Sequence, residues 1–203
     1  MNKPSSNRQQ TMDRPKKTAI FGGKFDPPHL AHQLTVFLAL NKFEMDEVWI
    51  VPSFSHPFGF KPSDFEKRIE MCRIMARPWD EEEVKVCGFE REIGLETVYT
   101  VDLLKFLTAE FPERSFSLII GSDNWNVRDK WKNFGEISAI CQDIIVVGRE
   151  RNESPDHKSI VLPDISSSEI RRLIAEGKPF EHLLPAGIPE FIRKNRLYDQ
   201  LKS

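Results

Sequence analysis

The chain of 203 residues reads as an α/β protein built on a parallel sheet. Three observations predict it. Short apolar runs rich in β-branched residues recur along the chain. The stretches between several of them carry apolar residues at helical spacing, and the first run ends on a glycine pair. Strand, helix and strand repeated in that order imply a parallel sheet with right-handed crossovers.

Residues 1–17 contain no apolar run, so neither a signal peptide nor a membrane anchor is written there, and a disordered tail is expected. A buried strand follows at residues 18–21. Gly22 and Gly23 then allow a tight turn that can aim N–H groups at an anion. Asp26 suits a cap and Pro28 a first helical position, giving a helix over 29–42. A second strand covers 47–52. Phe65, Ile69, Cys72 and Met75 set a helix over 64–76, and 84–89 reads as a third strand. Val101, Leu104, Phe106 and Leu107 mark a helix over 97–111. A fourth strand at 116–120 ends on Gly121 and a fifth at 144–147 ends near Arg149, while helices at 168–176 and 189–196 close the chain. One domain over 18–203 is therefore expected, its last part, 163–203, helical. Ligands of such sheets lie beyond the carboxyl ends of the strands, where Gly22, Pro52, Gly121 and Arg149 fall.

Composition narrows the partners. At 39% hydrophobic residues the chain can bury one good core and is too short for two. A net charge of −2 without a basic stripe argues against nucleic acid, and no apolar run is long enough to span a membrane. Cys72, Cys87 and Cys141 are scattered and odd in number, as expected of reduced thiols in a cytoplasmic protein.

The chemistry concentrates in Ile20-Phe21-Gly22-Gly23-Lys24-Phe25-Asp26-Pro27-Pro28-His29-Leu30-Ala31-His32. His29 and His32 share one face of the first helical turn, where orphan amides and the helix dipole favour phosphate. A zinc site is weak, for there is no His-Glu-x-x-His and no third ligand at a telling spacing. Neither a phosphate loop of the Walker type nor a G-x-G-x-x-G fingerprint is present. A second stretch, Ile165-Ser166-Ser167-Ser168-Glu169-Ile170-Arg171, has the spacing of a capping box, and a well-capped helix alone would account for it.

Both stretches resemble signatures of the nucleotidyltransferase superfamily, G-G-[TS]-F-D-P-x-H-x-G-H and I-S-S-T-x-x-R, in the same order. Lys24 stands where threonine or serine is usual, Ala31 where glycine is usual, and Ser168 replaces threonine while keeping the hydroxyl. Bacterial nicotinate-nucleotide adenylyltransferases resemble the chain more fully, from about Thr18 to Tyr198. Their S-Y-T-x-D-T-L is similar to Val98-Tyr99-Thr100-Val101-Asp102-Leu103-Leu104. Their I-I-G-A-D and following tryptophan match Ile119-Ile120-Gly121-Ser122-Asp123 and Trp131, and their terminal Leu-Tyr matches Leu197-Tyr198. Their P-P-H-K is replaced by a run from His56 to Lys61.

The resemblance implies a Rossmann-like, doubly wound fold and transfer of an adenylyl group from ATP to nicotinate mononucleotide, with Mg²⁺ held mainly by phosphates and water. His29 and His32 would donate to the α-phosphate and Arg171 to the leaving pyrophosphate. Gly22, Gly23, Lys24, Phe25, Lys61, Gly121, Asp123, Arg149, Ser167 and Ser168 would line the ATP site. Asp123 could bind ribose or a metal-bound water, or simply cap its helix. Trp131 would stack on the pyridine ring, and backbone amides at Thr97, Val98 and Tyr99 would select its carboxylate. A homodimer is compatible with the resemblance. Nicotinamide mononucleotide and phosphopantetheine are the competing acceptors, and a nucleotide-binding sensor with little turnover is the reading from another class.

Overall fold

The computed structural model describes residues 14–54, 64–148 and 158–199. Its sheet runs in the order β3-β2-β1-β4-β5-β6, with β1 (Lys16–Gly23), β2 (Glu47–Pro52), β3 (Val84–Val86), β4 (Arg114–Gly121), β5 (Ile144–Gly148) and β6 (Lys158–Val161). Every neighbouring pair is parallel. All six residues of β2 are buried, as expected of a strand covered on both faces. The sixth strand was not foreseen, because Lys158-Ser159-Ile160-Val161 offers only two apolar residues to read.

Helices cover the two faces. Alternation along β1 sends Ala19 and Phe21 to one core, shared with α1 (Leu30–Asn41), α2 (Phe65–Ala76), α7 (Ser167–Ala175) and α8 (Ile188–Lys194). Ile20 points into the other, filled by α4 (Thr100–Glu110) and α6 (Phe134–Ile140). Leu104 and Leu107 are fully buried there, each contributing about 2 kcal/mol by leaving water. Asp64 caps α2 by accepting from Glu66 N and Lys67 N.

Several local expectations change. β1 begins at Lys16, inside the expected tail, since Lys17 N–H donates to Asp46 Oδ2 at 2.8 Å and Arg14 forks onto the same carboxylate. The third strand stops at Val86, because Gly88 starts α3 (Phe89–Ile93) and the Phe89 ring packs on Trp49 instead. Gly22 and Gly23 do not turn; both are strand residues paired to Val51 and Pro52. The chain turns after them, at Phe25 with φ 49° and a cis Asp26–Pro27 bond. Asp26 does not cap α1 either, for His29 is the N-cap.

The register opens the crevice. β1 pairs with β4 only as far as Phe21 against Ile119. Beyond that, Gly22 and Gly23 follow β2 while Ile120 and Gly121 follow β5. The strands splay where the strand order reverses, which is where open parallel sheets take their ligands.

Candidate active site

The two histidines are held rigidly at that crevice. Their rings stack with centroids 3.6 Å apart, and the His29 backbone N–H donates to His32 Nδ1 at 3.1 Å. Phe25 packs edge-on against His32 at 4.9 Å and Phe21 lies at 5.8 Å. Burial first, and the charge of His29 second, hold the His32 imidazolium well below the usual pKa. The ring is therefore neutral near pH 7, and with Nδ1 accepting, its proton sits on Nε2, a donor suited to a phosphate oxygen.

The second motif docks onto the first. Ser167 Oγ donates to the Pro27 carbonyl at 2.8 Å, and Arg171 Nη1 donates to the Asp26 carbonyl at 2.5 Å. Ser166 caps α7 by accepting from Glu169 N and contacts Ser168 Oγ at 3.1 Å, while the Glu169 carboxylate turns to Arg172, so the cap is one-sided rather than a reciprocal box. Lys24 lies exposed at the end of β1, within electrostatic reach of Arg171, Asp26 and Asp123. Burial, then Arg171, lower its pKa. Two cations that repel each other across a crevice gain when an anion binds between them.

Asp123 opens α5 (Ser122–Asn126) directly after Gly121, and no side chain caps that helix. The approach is close: a Cβ on Gly121 would lie 2.4 Å from Asp123 Oδ1, and one on Gly148 would lie 2.0 Å from Ser122 Oγ. Gly148→Ala should thus push α5 off the sheet and lower stability by about 1 to 3 kcal/mol, read as a fall in denaturation midpoint. An unchanged midpoint would show that α5 yields freely.

Residues 20–173 match the cytidylyltransferase-like family model. A probable nicotinate-nucleotide adenylyltransferase of Anaeromyxobacter dehalogenans is 37% identical over 185 residues, covering 90% of this chain and 97% of its own. One from Myxococcus xanthus is 34% identical, covering 90% and 94%. The chain belongs to the nicotinate-nucleotide adenylyltransferases. The fold agrees: Plasmodium falciparum nicotinic acid mononucleotide adenylyltransferase, solved with NaAD, superposes with a TM-score of 0.78 at 23% identity, over 91% of this chain and 98% of that one.

Other residues that the family resemblance singled out divide by burial. Phe25 is buried, and its ring supports His32 rather than lining the crevice surface. A Cβ on Gly22 would meet nothing within 4 Å, which leaves room for a ligand beside β1. Val98 is buried in the second core; Thr97 is half-buried and Tyr99 exposed. The α4 turn that carries them touches the Trp131 segment, since Lys132 lies 4.4 Å over the Tyr99 ring and 3.4 Å from Asp102 Oδ2. Trp131 itself is half-buried, its ring nearly perpendicular to that of Phe134 at 6.1 Å. Lys61 and Arg149 lie outside the described residues. Among the thiols, burial pushes Cys87 and Cys141 up to about 12 and Cys72 higher still, so none is a nucleophile.

Two supports escaped sequence reading. Arg68, almost fully buried, donates from Nη1 to the Lys24 carbonyl at 2.9 Å. A charged residue on the apolar stripe of α2, between Phe65 and Cys72, was its signal. Tyr198 Oη donates to buried Asp26 Oδ1 at 2.7 Å; the family resemblance reached Tyr198 without giving it a task.

Proposed function

We propose that this chain joins nicotinate mononucleotide to the adenylyl group of ATP, giving nicotinate adenine dinucleotide and pyrophosphate. The observation that carries the reading is the bonding of Ser167 and Arg171 to the Asp26 and Pro27 carbonyls, which makes one cationic crevice of two motifs far apart in sequence. The 5′-phosphate oxygen of the mononucleotide forms a bond to the α-phosphorus, and the bond from that phosphorus to the bridging oxygen breaks. The electron pair leaves with pyrophosphate. A phosphate monoester has a second pKa near 6, so no base is needed. The protein's work is to hold two anions in line and to stabilise growing charge. His29 and His32 donate to the α-phosphate, and Arg171 with Lys24 takes the leaving group. The N-terminal serines of α7 bind the outer phosphates. Asp123 holds ribose hydroxyls or a metal-bound water, Trp131 stacks on the pyridine, and the Thr97 to Tyr99 backbone meets its carboxylate. Val98, buried where the motif it resembles has serine, leaves that selection to main-chain amides.

Among the described residues no group of three or more His, Cys, Asp or Glu side chains could hold a metal ion. A Mg²⁺ would be carried mainly by the triphosphate and water, and Asp123, at the carboxyl end of β4, would be the side chain to hold one of its waters. Such an ion supplies charge neutralisation to the phosphates. A homodimer has one observation in its favour: Leu30, Leu34 and Phe37 stay exposed in line along α1, and sedimentation reads the outcome. A cytoplasmic location belongs to the same reading.

The test compares pyrophosphate release from ATP and Mg²⁺ with nicotinate mononucleotide, nicotinamide mononucleotide and phosphopantetheine. Preference for the nicotinate form by a hundredfold or so is the expected result, on the order of a carboxylate recognised by buried donors. Preference for another acceptor moves the substrate, and binding without turnover makes the chain a sensor.

A further inference from the structure

The loop that carries the histidines is fastened from below by groups that touch neither reactant in the mechanism above. Asp26 and Tyr198 are each 3% exposed, and Arg68 is 1% exposed. Tyr198 Oη binds the Asp26 carboxylate, whose own residue presents its carbonyl to Arg171, while Arg68 binds the carbonyl of Lys24 two positions earlier. One short segment, Lys24 to Pro27, is thus held by α2, by α7 and by the end of the chain at once. Its shape needs that support, for Phe25 sits at φ 49° and no glycine relieves it. Tyr198 is itself at φ 68° and Arg196 at φ 50°, so the chain end is bent to bring the phenol inward.

We propose that Tyr198 is a positioning residue for adenylyl transfer: its hydrogen bond to Asp26 sets the backbone carbonyl that orients Arg171. This rests on the nucleotide site proposed above. The end of the chain is then part of the catalytic architecture, although it lies 172 residues from its partner in sequence. A phenol buried on a carboxylate is a charge-assisted bond, and its loss takes away one of the contacts that fix the Asp26 side chain. The expected consequence falls on turnover, because the substrates keep most of their contacts while the donors lose alignment.

The experiment uses the full chain with Tyr198→Phe, Arg171→Ala and the double variant. Tyr198→Phe is expected to lower kcat about tenfold with each KM changed less than about threefold, at a temperature where both proteins are fully folded. In the Arg171→Ala background the same change should cost almost nothing, since the group through which it acts is gone. A merely structural role would lower the denaturation midpoint in both backgrounds and leave kcat untouched at low temperature. Hydrogen exchange of residues 24–32 should rise in Tyr198→Phe while β2 and β4 stay protected. Unchanged kcat, or a tenfold loss that persists without Arg171, overturns the proposal. Absence of turnover by the unaltered chain with every acceptor overturns the functional reading instead, and unchanged exchange over 24–32 then overturns the positioning role by itself.

Discussion

Replacing His32 by alanine is expected to lower kcat by about 10²- to 10³-fold, the loss typical of one preorganised donor to developing charge. The ring is neutral, its Nδ1 is used by the His29 amide, and its Nε2 proton is directed by that bond. Three aromatic neighbours fix the plane, so the donor is aligned before substrate arrives. Alanine also removes packing against Phe21 and Phe25, with a stability loss of about 2 kcal/mol, so turnover must be read well below the melting range. His32→Asn serves as the second variant, because its amide oxygen can still accept from His29 while its donor falls short of the phosphate. Comparable losses in both assign the effect to the donor; activity within threefold of the parent would remove His32 from the reaction. The pH profile adds a check. A histidine whose pKa is depressed is already neutral above pH 6.5, so kcat/KM should not fall between pH 6.5 and 8 through its loss of charge.

The reach of sequence reading follows from the range of the contacts. The histidine pair and the serine-rich helix start were legible because each is a local pattern, complete within a few residues, and the parallel sheet follows from the alternation of strands and helices. What a local pattern cannot carry is the partner of a buried polar group. Asp26 looked like a helix cap because it stands just ahead of Pro28, where a proline suits the first helical turn; the structure instead gives its side chain to Tyr198 and its carbonyl to Arg171. The glycine pair looked like the turn for a similar reason. The observed role is extension of β1 beyond the point where β4 leaves it, with open space above Gly22. Arg68 and Glu47 both contradict the apolar run around them, and that local conflict was the sign that each has a partner elsewhere.

Glu47 supplies the second large effect, at the end of the sheet away from the crevice. Its side chain is fully buried at the start of β2. It accepts from Thr18 Oγ1 at 2.7 Å, from Arg114 Nε at 2.8 Å and from Lys16 Nζ at 3.1 Å, with Lys85 Nζ at 3.6 Å. Burial alone would raise its pKa, but these donors, Thr18 and Arg114 foremost, bring it from 4.5 to about 2. A carboxylate whose folded pKa lies below its unfolded value stabilises the fold above pH 4.5 and loses that contribution as pH falls through 4.5 toward 2. The shift corresponds to about 2 to 3 kcal/mol once the partly exposed lysines are discounted. His32 contributes an earlier and separate loss below pH 6.5, where the unfolded imidazole takes a proton that the buried ring refuses. Glu47→Gln divides the two. It keeps the shape, removes the charge among three cations, and should cost about 3 kcal/mol at pH 7, since a buried ionic cluster broken on one side leaves its partners uncompensated. Urea denaturation from pH 7 to 2.5 should then show the variant and the parent converging in acid, with the drop below pH 4.5 gone from the variant. Parallel curves over that window would mean that the cations, not the carboxylate, set the acid stability of the central strands.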